Sequence, residues 1–381
     1  MLIAVLSDLH FGFGDGELWD DSFEAVEEAI EKSREADIIL IAGDLFDTRV
    51  PTPETLVRAM QLFIKPIKNK NSVKIVEGIN KDISEIQPIT KSGTPVIAIN
   101  GNHDRRTKGF INPVQALEKA GFLIHLHCNG IILEKEEERV CIHGMSAVPD
   151  QYFESVMKQW APEPVKGCKN ILMLHHLLSP FTFSTQKIEI IPKGFDLYIC
   201  GDLHEQKKSY YSEAPFLIPG SAIPTQINRE SVNPKGFWVF DSAGGTTRFV
   251  ELEKNRRVYY IEKDFQNTEE IESEIKNVLG ENHGKKPILR INIQNRKEFP
   301  LNEIKNKYQA NAIISFRKEA DETKEAKTME QQRLSVKEMG RNILLRNLKE
   351  AELDEKIFED IFELLLENNP DKALELLRRQ K

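Results

Sequence analysis

The sequence lacks the features that mark secreted, disulfide-bonded or membrane-spanning proteins. Its four cysteines, among 381 residues, have no paired spacing, which argues against a disulfide framework and against a zinc knuckle. It has no run of about 18 apolar residues, and Met1 leads directly into an apolar segment without a charged leader. We therefore expect a soluble, cytoplasmic protein, nucleoid-associated if its host is a prokaryote, that does not bind a membrane.

An excess of positive charge is also missing. Lysine and arginine number 52 against 60 aspartates and glutamates, which gives a net charge of −8. Because non-specific nucleic-acid affinity comes mainly from lysine and arginine neutralising phosphates, this balance argues against a general nucleic-acid-coating protein. It does not exclude an enzyme that acts on nucleic acid, because bound divalent cations would reverse the local sign of the charge.

Five short segments place metal-ligand residue types just after an apolar run. The runs, which predict buried strands, are 2–6, 38–42, 95–99, 171–174 and 197–200. They are followed by Asp8-Leu9-His10, Gly43-Asp44-Leu45-Phe46-Asp47, Gly101-Asn102-His103-Asp104, His175 and Gly201-Asp202-Leu203-His204. Since ligands bind at the carboxyl ends of strands in open α/β sheets, we expect these groups to meet at one rim.

The mixture of carboxylate, imidazole and amide groups predicts a site for two hard divalent ions, such as Mn²⁺ or Mg²⁺. Two such ions lie about 3.5–4 Å apart and share a bridging carboxylate, for which Asp44 is our candidate. Asp8 and His10 lie two apart in a segment expected to be extended, so both should point to the same side and bind one ion. Asn102 and His175 are expected to bind the other.

These motifs resemble the calcineurin-like metallophosphoesterase superfamily, whose signature runs Asp-x-His, Gly-Asp-x-x-Asp, Gly-Asn-His-Asp/Glu and then separated histidines. The ordered match covers roughly residues 1–240. Within the superfamily the chain most resembles the archaeal double-strand break repair nucleases, the meiotic recombination eleven family. That closer resemblance lies in Gly43-Asp44-Leu45-Phe46 followed by Pro51, in the long stretch before Gly101, and in two modules after residue 250.

The resemblance implies a layered α/β fold, a metallophosphoesterase β-sandwich flanked by helices, with a small α/β cap domain and a helical C-terminal tail. It also implies a Mn²⁺-dependent 3′ to 5′ exonuclease and endonuclease that processes DNA ends with a coiled-coil repair ATPase, as a homodimer formed through helices beside the active site. Two alternatives stay open. One is a phosphodiesterase for small molecules such as cyclic nucleotides, and the other is a weakly catalytic DNA-end scaffold.

His103 and Asp47 are the predicted catalytic residues. His103, beside Asn102, is placed to protonate the leaving oxygen or stabilise its charge, and Asp47 to orient the imidazole. Three cations follow directly, and we expect them to guide the phosphate backbone, although an ordinary solvated loop would have the same composition. They are Arg105, Arg106 and Lys108.

The chain departs from the repair nucleases at two positions. Those enzymes commonly have histidine where this chain has Asp47, which puts in doubt how DNA is positioned. Their last motif is commonly Gly-His-x-His, whereas here Asp202 precedes His204. We hypothesise that both residues ligate metal, Asp202 supplying oxygen that favours hard ions. Alternatively Asp202 only supports a ligand.

The element pattern predicts four parts. Alternating strands and helices, the helices at 21–34, 52–68 and 112–120, indicate a metallophosphoesterase domain over 1–252. Within it, 70–93 is predicted to be an insertion or a long active-site loop. A cap domain over 253–317 is expected to be a βαβαβ unit, and 318–333 a charged linker. Amphipathic helices in 334–381 are predicted to bind the ATPase partner, or else to pack on each other or the cap.

Overall fold

The computed structural model describes residues 1–107, 109–182 and 184–318. The chain divides into two compact units, one of residues 1–292 and 298–316 and the other of 293–297 and 317–381. Lys108, nearly all of the predicted linker, and the predicted partner-binding region 334–381 lie outside the described residues. No helix of the described ranges is both long enough and apolar enough to cross a bilayer.

The described part of the chain contains sixteen strands and six α-helices. The strands are β1 (Leu2–Leu6), β2 (Ile38–Ala42), β3 (Lys74–Ile79), β4 (Val96–Ile99), β5 (Ile124–His125), β6 (Asn129–Lys135), β7 (Glu138–Met145), β8 (Lys169–His175), β9 (Leu197–Gly201), β10 (Lys207–Tyr211), β11 (Ala214–Ile218), β12 (Gly236–Asp241), β13 (Thr246–Glu251), β14 (Val258–Lys263), β15 (Ile288–Ile293) and β16 (Ile313–Lys318). The helices are α1 (Asp21–Lys32), α2 (Pro53–Ile67), α3 (Pro113–Lys119), α4 (Asp150–Trp160), α5 (Thr268–Leu279) and α6 (Leu301–Tyr308).

Two large sheets form the body of the fold. The first has the order β13-β12-β1-β2-β4-β5 and the second β10-β11-β9-β8-β7-β6-β3. Strands β1, β2, β4 and β5 run parallel, as do β7, β8, β9 and β11. Each sheet therefore brings several carboxyl strand ends to one edge.

Strand alternation explains why the central strands are apolar throughout. In β1, Ile3 and Val5 point into the core between the two sheets, whereas Ala4 and Leu6 pack in the cluster that includes helices α1 and α2. Helix α4 packs in a separate cluster against the second sheet. Because both faces are buried, alternating polar residues would be costly here. The predicted α/β fold class, a β-sandwich flanked by helices, is confirmed.

Helix starts follow local capping chemistry. Helix α2 begins at Pro53, and the side chain of Thr52 accepts a hydrogen bond from the backbone N–H of Thr55. Helix α3 begins at Pro113, with Asn112 and Gln115 forming a capping box. Proline suits the first helical position because an N–H there would have no partner within the helix, so its absence costs nothing. These caps fix where the chain turns after two of the candidate site loops.

The segment 70–93, predicted to be an insertion or a long active-site loop, contains a strand. It contributes β3, which pairs antiparallel with β6 at one edge of the second sheet. An edge strand that is only half-buried does not need a regular apolar pattern, so the sequence showed no clear period there. The long-loop prediction was therefore wrong for residues 74–79.

A third sheet with the order β14-β15-β16, together with α5 and α6, forms the predicted βαβαβ arrangement. A buried ion pair joins Arg256, just before β14, to Asp21 at the start of α1. The Arg256 guanidinium donates to the Asp21 carboxylate over 2.5 Å and to the Glu17 carbonyl over 2.6 Å. Lys285 donates to Asp21 over 2.9 Å. Asp21 thus has a cation on each carboxylate oxygen, as burial of a charge requires.

Candidate metal centre

The predicted ligands meet at the carboxyl ends of the strands. Ligand atoms lie within 4.8 Å of one another in three groups, which are Asp8 with His10 and His204, His10 with Asp44 and His103, and Asp8 with Asp44 and His175. Asp8, His10 and Asp44 each belong to two groups. Overlapping groups of this kind suit two neighbouring cation positions that share a ligand better than one isolated position.

Left-handed backbone conformations aim several of these side chains. The φ angles of Asp8, His10, Asp44 and Asp202 are 51°, 47°, 48° and 80°. Strand β1 ends at Leu6, so Asp8 and His10 reach the same group from irregular backbone beyond the strand, with left-handed conformations. The extended-segment reason for that pairing was therefore wrong. Left-handed non-glycine residues cost free energy and concentrate at functional sites.

Backbone hydrogen bonds connect the first two motif loops. The Asp8 N–H donates to the Gly43 carbonyl over 3.0 Å, and the His10 N–H donates to the Asp44 carbonyl over 3.0 Å. Asp44 Oδ1 in turn accepts from the His103 N–H over 2.8 Å. Hydrogen bonds within the protein therefore hold the three motifs together without help from a cation.

Asp104, the last residue of its motif, joins two loops from below the cluster. Its fully buried carboxylate accepts hydrogen bonds from the N–H groups of Leu45, Phe46 and Gly101, at 3.0, 2.8 and 3.1 Å. Burial, with the nearby charge of Asp44, raises the pKa of Asp104 to about 6, while the three donors favour the ionised form. Asp104 is thus a structural brace of the site.

Two imidazoles have one ring nitrogen engaged by a group outside the cluster. His175 Nδ1 lies 2.7 Å from the Ala42 carbonyl, which can only accept, so Nδ1 bears the proton. His204 Nδ1 lies 2.6 Å from the Thr225 hydroxyl. Both rings therefore turn Nε2 towards the carboxylates, 3.5 Å from Asp44 and 3.6 Å from Asp8 respectively. Such outer partners commonly orient metal-binding histidines.

Some atoms of the cluster are placed to bind a cation and lack another suitable partner among the described residues. Asp8 Oδ1 is buried and has no hydrogen-bond partner among the described residues. His10 Nε2 and His204 Nε2 lie 3.2 Å apart. A buried carboxylate oxygen without a donor is costly, and two Nε2 atoms at this separation can share a cation when both rings are neutral. The residues present therefore fit a divalent metal ion.

Burial and neighbouring charges shift the pKa values of the cluster residues. Burial by itself would raise the pKa of Asp44, but the charge and hydrogen bond of His175 lower it to about 2. Burial would lower the pKa of His175, but Asp44 raises it well above the usual value. Burial lowers the pKa of His204 to about 4, which keeps this ring in the neutral form that binds metal.

Asn102 and Asp202 lie beside His175. Asn102 Oδ1 is 3.4 Å from His175 Nε2, and Asn102 Nδ2 is 3.4 Å from Asp202 Oδ1. Asp202 Oδ1 is 3.8 Å from His175 Nε2. His204 instead lies beside Asp8 and His10. The last motif thus sends one residue to each end of the cluster, and ligation by Asp202 stays a prediction.

His103 is oriented by the backbone of Asp47. His103 Nδ1 lies 2.7 Å from the Asp47 carbonyl oxygen. The Asp47 carboxylate is 4.0 Å from that nitrogen and 3.2 Å from His10 Nδ1. The orienting contact expected of the Asp47 side chain is therefore made by its carbonyl group, and the carboxylate lies closer to His10.

The cationic loop that follows is partly described. Arg105 is half-buried and Arg106 is exposed. The Arg106 guanidinium lies 5.0 Å above the Phe110 ring and donates weakly to the Ile111 carbonyl over 3.5 Å. Lys108 lies outside the described residues. Contact of these residues with DNA stays a prediction.

Sequence reasoning missed Thr225 and Lys235. The Lys235 ammonium donates to the His204 carbonyl over 2.8 Å and to Ser221 over 3.1 Å. Neither residue belongs to a recognisable motif, and both are distant from His204 along the chain. A single sequence contains no signal that would have found them.

Comparison with known proteins agrees with this geometry. The model of the calcineurin-like phosphoesterase family matches residues 1–206. The DNA double-strand break repair protein Mre11 of Methanopyrus kandleri is 27% identical over 71% of this chain and 61% of its own length. The Mre11 protein of Sulfolobus acidocaldarius is 25% identical over 85% of this chain and 86% of its own. The human double-strand break repair protein MRE11 is 24% identical over 59% and 37%.

The extent of these matches differs along the chain. The chain spans about three-fifths of the Methanopyrus relative and just over a third of the human one. The matched family region ends just after His204. All of the candidate ligands therefore fall inside it, whereas Thr225 and Lys235 fall outside.

Gly101 gives a direct test of the cluster. A Cβ atom there would lie 1.9 Å from Asp44 Oδ1 and 2.4 Å from the Asp44 backbone nitrogen. We expect Gly101→Ala to displace Asp44 and to weaken Mn²⁺ binding about tenfold or more, measured by calorimetric titration. Gly284→Ala is the matched control, because an added Cβ has no atom within 4 Å there. Equal Mn²⁺ affinity in the two variants would contradict the placement of Asp44 in the site.

Proposed function

The chain belongs to the calcineurin-like phosphoesterase family, and from this we propose that it is a two-metal nuclease that hydrolyses phosphodiester bonds at DNA ends in double-strand break repair. The main support is the overlapping carboxylate and imidazole groups at the strand ends. The choice of DNA as substrate rests on relatives from archaea and animals that are named for double-strand break repair. The preference for Mn²⁺ rests on the oxygen-rich ligand set.

The residues divide between two cation positions. Asp8, His10 and His204 would hold one ion, and Asn102, His175 and Asp202 the other, with Asp44 between them. When bound, such ions withdraw charge from the phosphoryl oxygens and lower the pKa of the attacking water. The lowered pKa values of Asp44 and His204 favour the forms that bind metal. The raised pKa of His175 means that this ring would give up a proton when metal binds.

His103 is the candidate for the leaving group. Its Nδ1 is engaged by the Asp47 carbonyl, so Nε2 is the nitrogen left for substrate. The side chain is 42% exposed, which leaves room for a phosphodiester to approach. A proton held on Nε2 could pass to the departing 3′ oxygen, the step for which general acids typically contribute about 10²–10⁴-fold in rate.

Digestion of end-labelled linear duplex DNA tests this function. The purified protein should shorten the DNA in Mn²⁺ and not in EDTA. We expect His103→Ala to lower the rate about 10²–10⁴-fold while retaining Mn²⁺, and Asn102→Ala to lower both activity and Mn²⁺ affinity. Lys119→Ala, on an exposed surface of α3, is the control.

The same assay can reject the proposal. Intact DNA together with metal-dependent turnover of bis-p-nitrophenyl phosphate would keep the phosphoesterase and indicate a small-molecule substrate. Intact DNA with neither turnover would leave the scaffold role. Shortening of DNA that is unaffected by both substitutions would show that another site is responsible.

We also propose a homodimer formed through the helices beside the site. Helix α2 follows the Asp44 loop, and two of its apolar residues, Val57 and Ile64, are 53% and 36% exposed. They lie about two turns apart on one face. Phe110 and Ile111, just before α3, are 62% and 63% exposed. We propose that these four side chains contribute to one apolar patch, because contiguous exposed apolar patches mark association surfaces.

Charged substitutions should break this dimer. We expect Val57→Asp and Phe110→Asp to shift the mass measured by sedimentation equilibrium from dimer to monomer, because burying an unpaired carboxylate is costly. Val232→Asp, at a residue 50% exposed elsewhere, should remain dimeric. A monomeric unsubstituted protein, or dimers that survive both substitutions, would refute the proposal.

A coiled-coil repair ATPase is the proposed partner of residues 334–381. The support is the amphipathic spacing of residues such as Leu353, Ile357, Ile361 and Leu365, typical of a helix that lays one apolar face on a partner. The resemblance to repair nucleases suggests the kind of partner. The parts proposed are those expected from the sequence, with the catalytic domain over 1–252, the cap over 253–317 and a linker over 318–333.

Substitutions on that apolar face test the partner proposal. We expect Ile357→Asp with Ile361→Asp, in the full chain, to abolish co-purification with the coiled-coil repair ATPase of the same organism. The proposed apolar contact would then have to bury two charges. Glu359→Ser, between them in sequence, should not. Undiminished co-purification of the doubly substituted chain would place the contact elsewhere.

A further inference from the structure

His204 is held by a segment that lies beyond the matched family region. We call residues 219–235 the bracing segment. Thr225 places its hydroxyl 2.6 Å from His204 Nδ1, and Lys235 donates to the His204 carbonyl over 2.8 Å. The Ser221 N–H donates to the same carbonyl over 3.1 Å. The bracing segment therefore fixes both the ring and the backbone of His204.

The bracing segment also reaches Asp8. The Ala222 N–H donates to the Asp8 carbonyl over 3.2 Å. Ser221 is buried and its hydroxyl donates to the Ile223 carbonyl over 2.7 Å, which closes the turn. The segment therefore contacts two of the three members of the Asp8, His10 and His204 group. Among the described residues, no hydrogen bond joins the bracing segment to Asn102, His175 or Asp202.

His175 and His204 differ in how replaceable the outer partner of the ring is. His175 is oriented by a backbone carbonyl, which no side-chain substitution removes. His204 is oriented by the side chain of Thr225. Loss of the partner of a metal-binding histidine typically costs about 10–100-fold in metal affinity, because the ring is no longer held in the binding orientation.

We infer that Thr225 is a positioning residue that sets cation affinity at the Asp8, His10 and His204 position and leaves the position at Asn102 and His175 unaffected. This inference rests on the proposed two-metal function. Thr225 acts through His204: its hydroxyl accepts a hydrogen bond from Nδ1–H, which leaves the Nε2 lone pair directed towards Asp8 and His10. Lys235 and Ser221 keep the backbone of His204 in place so that the ring can be aimed.

Calorimetric titration of the whole protein with MnCl₂, without DNA, tests the inference. The unsubstituted protein should bind two Mn²⁺ ions. We expect Thr225→Val, which keeps the shape but removes the hydroxyl, to weaken one binding event about 10–100-fold and to leave the other unchanged. Thr225→Ser, which restores the hydroxyl, should bind both ions as the unsubstituted protein does. Thr246→Val, at an exposed strand position, is the matched control.

A purely structural role for Thr225 predicts a different result. In that case the metal-free melting temperature would fall in Thr225→Val while both Mn²⁺ affinities of the folded protein stayed the same. Thr225→Ala removes the hydroxyl independently and should match Thr225→Val in the titration even if the valine is poorly accommodated. Agreement between these two variants, with rescue by serine, would support the positioning role.

Two outcomes would overturn the inference, and they can be told apart. Two unchanged Mn²⁺ affinities in Thr225→Val and Thr225→Ala would remove the role of Thr225 and leave the proposed two-metal function intact. Failure of the unsubstituted protein to bind Mn²⁺ at all would remove both. Because the readout is metal binding, a substrate other than DNA would affect neither conclusion.

Discussion

Burial of three carboxylates close together is the constraint on which the site depends. Asp8, Asp44 and Asp104 are almost completely buried, and each needs compensation for lost hydration. Asp104 obtains it from three backbone N–H groups and Asp44 from His175. Asp8 receives a hydrogen bond from Ser7 on one oxygen and none on the other. That incomplete compensation makes the cluster a candidate cation site rather than a closed polar core.

Placing these carboxylates together requires strained backbone conformations after the strand ends. Parallel strands of the first sheet end together, but a strand alternates its side chains between two faces, so a regular extension would send half of the ligands away. Left-handed backbone conformations at Asp8, His10, Asp44 and Asp202 redirect the chain instead. Gly101 makes room for Asp44, since an added Cβ on Gly101 would meet the Asp44 side chain.

Much of this arrangement could be predicted from the sequence because it is local. Apolar runs that end in ligand residue types located the five site strands to within a few residues. The pattern of apolar residues also located the strands and helices of the cap. The edge strand at Lys74–Ile79 was missed because a half-buried edge needs no apolar period. Thr225 and Lys235 could not be found, because their contacts with His204 are made by folding and follow no spacing.

Asp47 illustrates how one substitution can change a role without removing the site. Its carboxylate lies 3.2 Å from His10 Nδ1 and 4.0 Å from His103 Nδ1, so it adds negative charge beside a candidate ligand. Asp202 adds a second such charge near His175. Both changes make the cluster more acidic than a histidine at either position would. A phosphate backbone would be repelled by that charge in the absence of cations, so in the proposed nuclease, substrate affinity and cation occupancy are coupled through these two carboxylates.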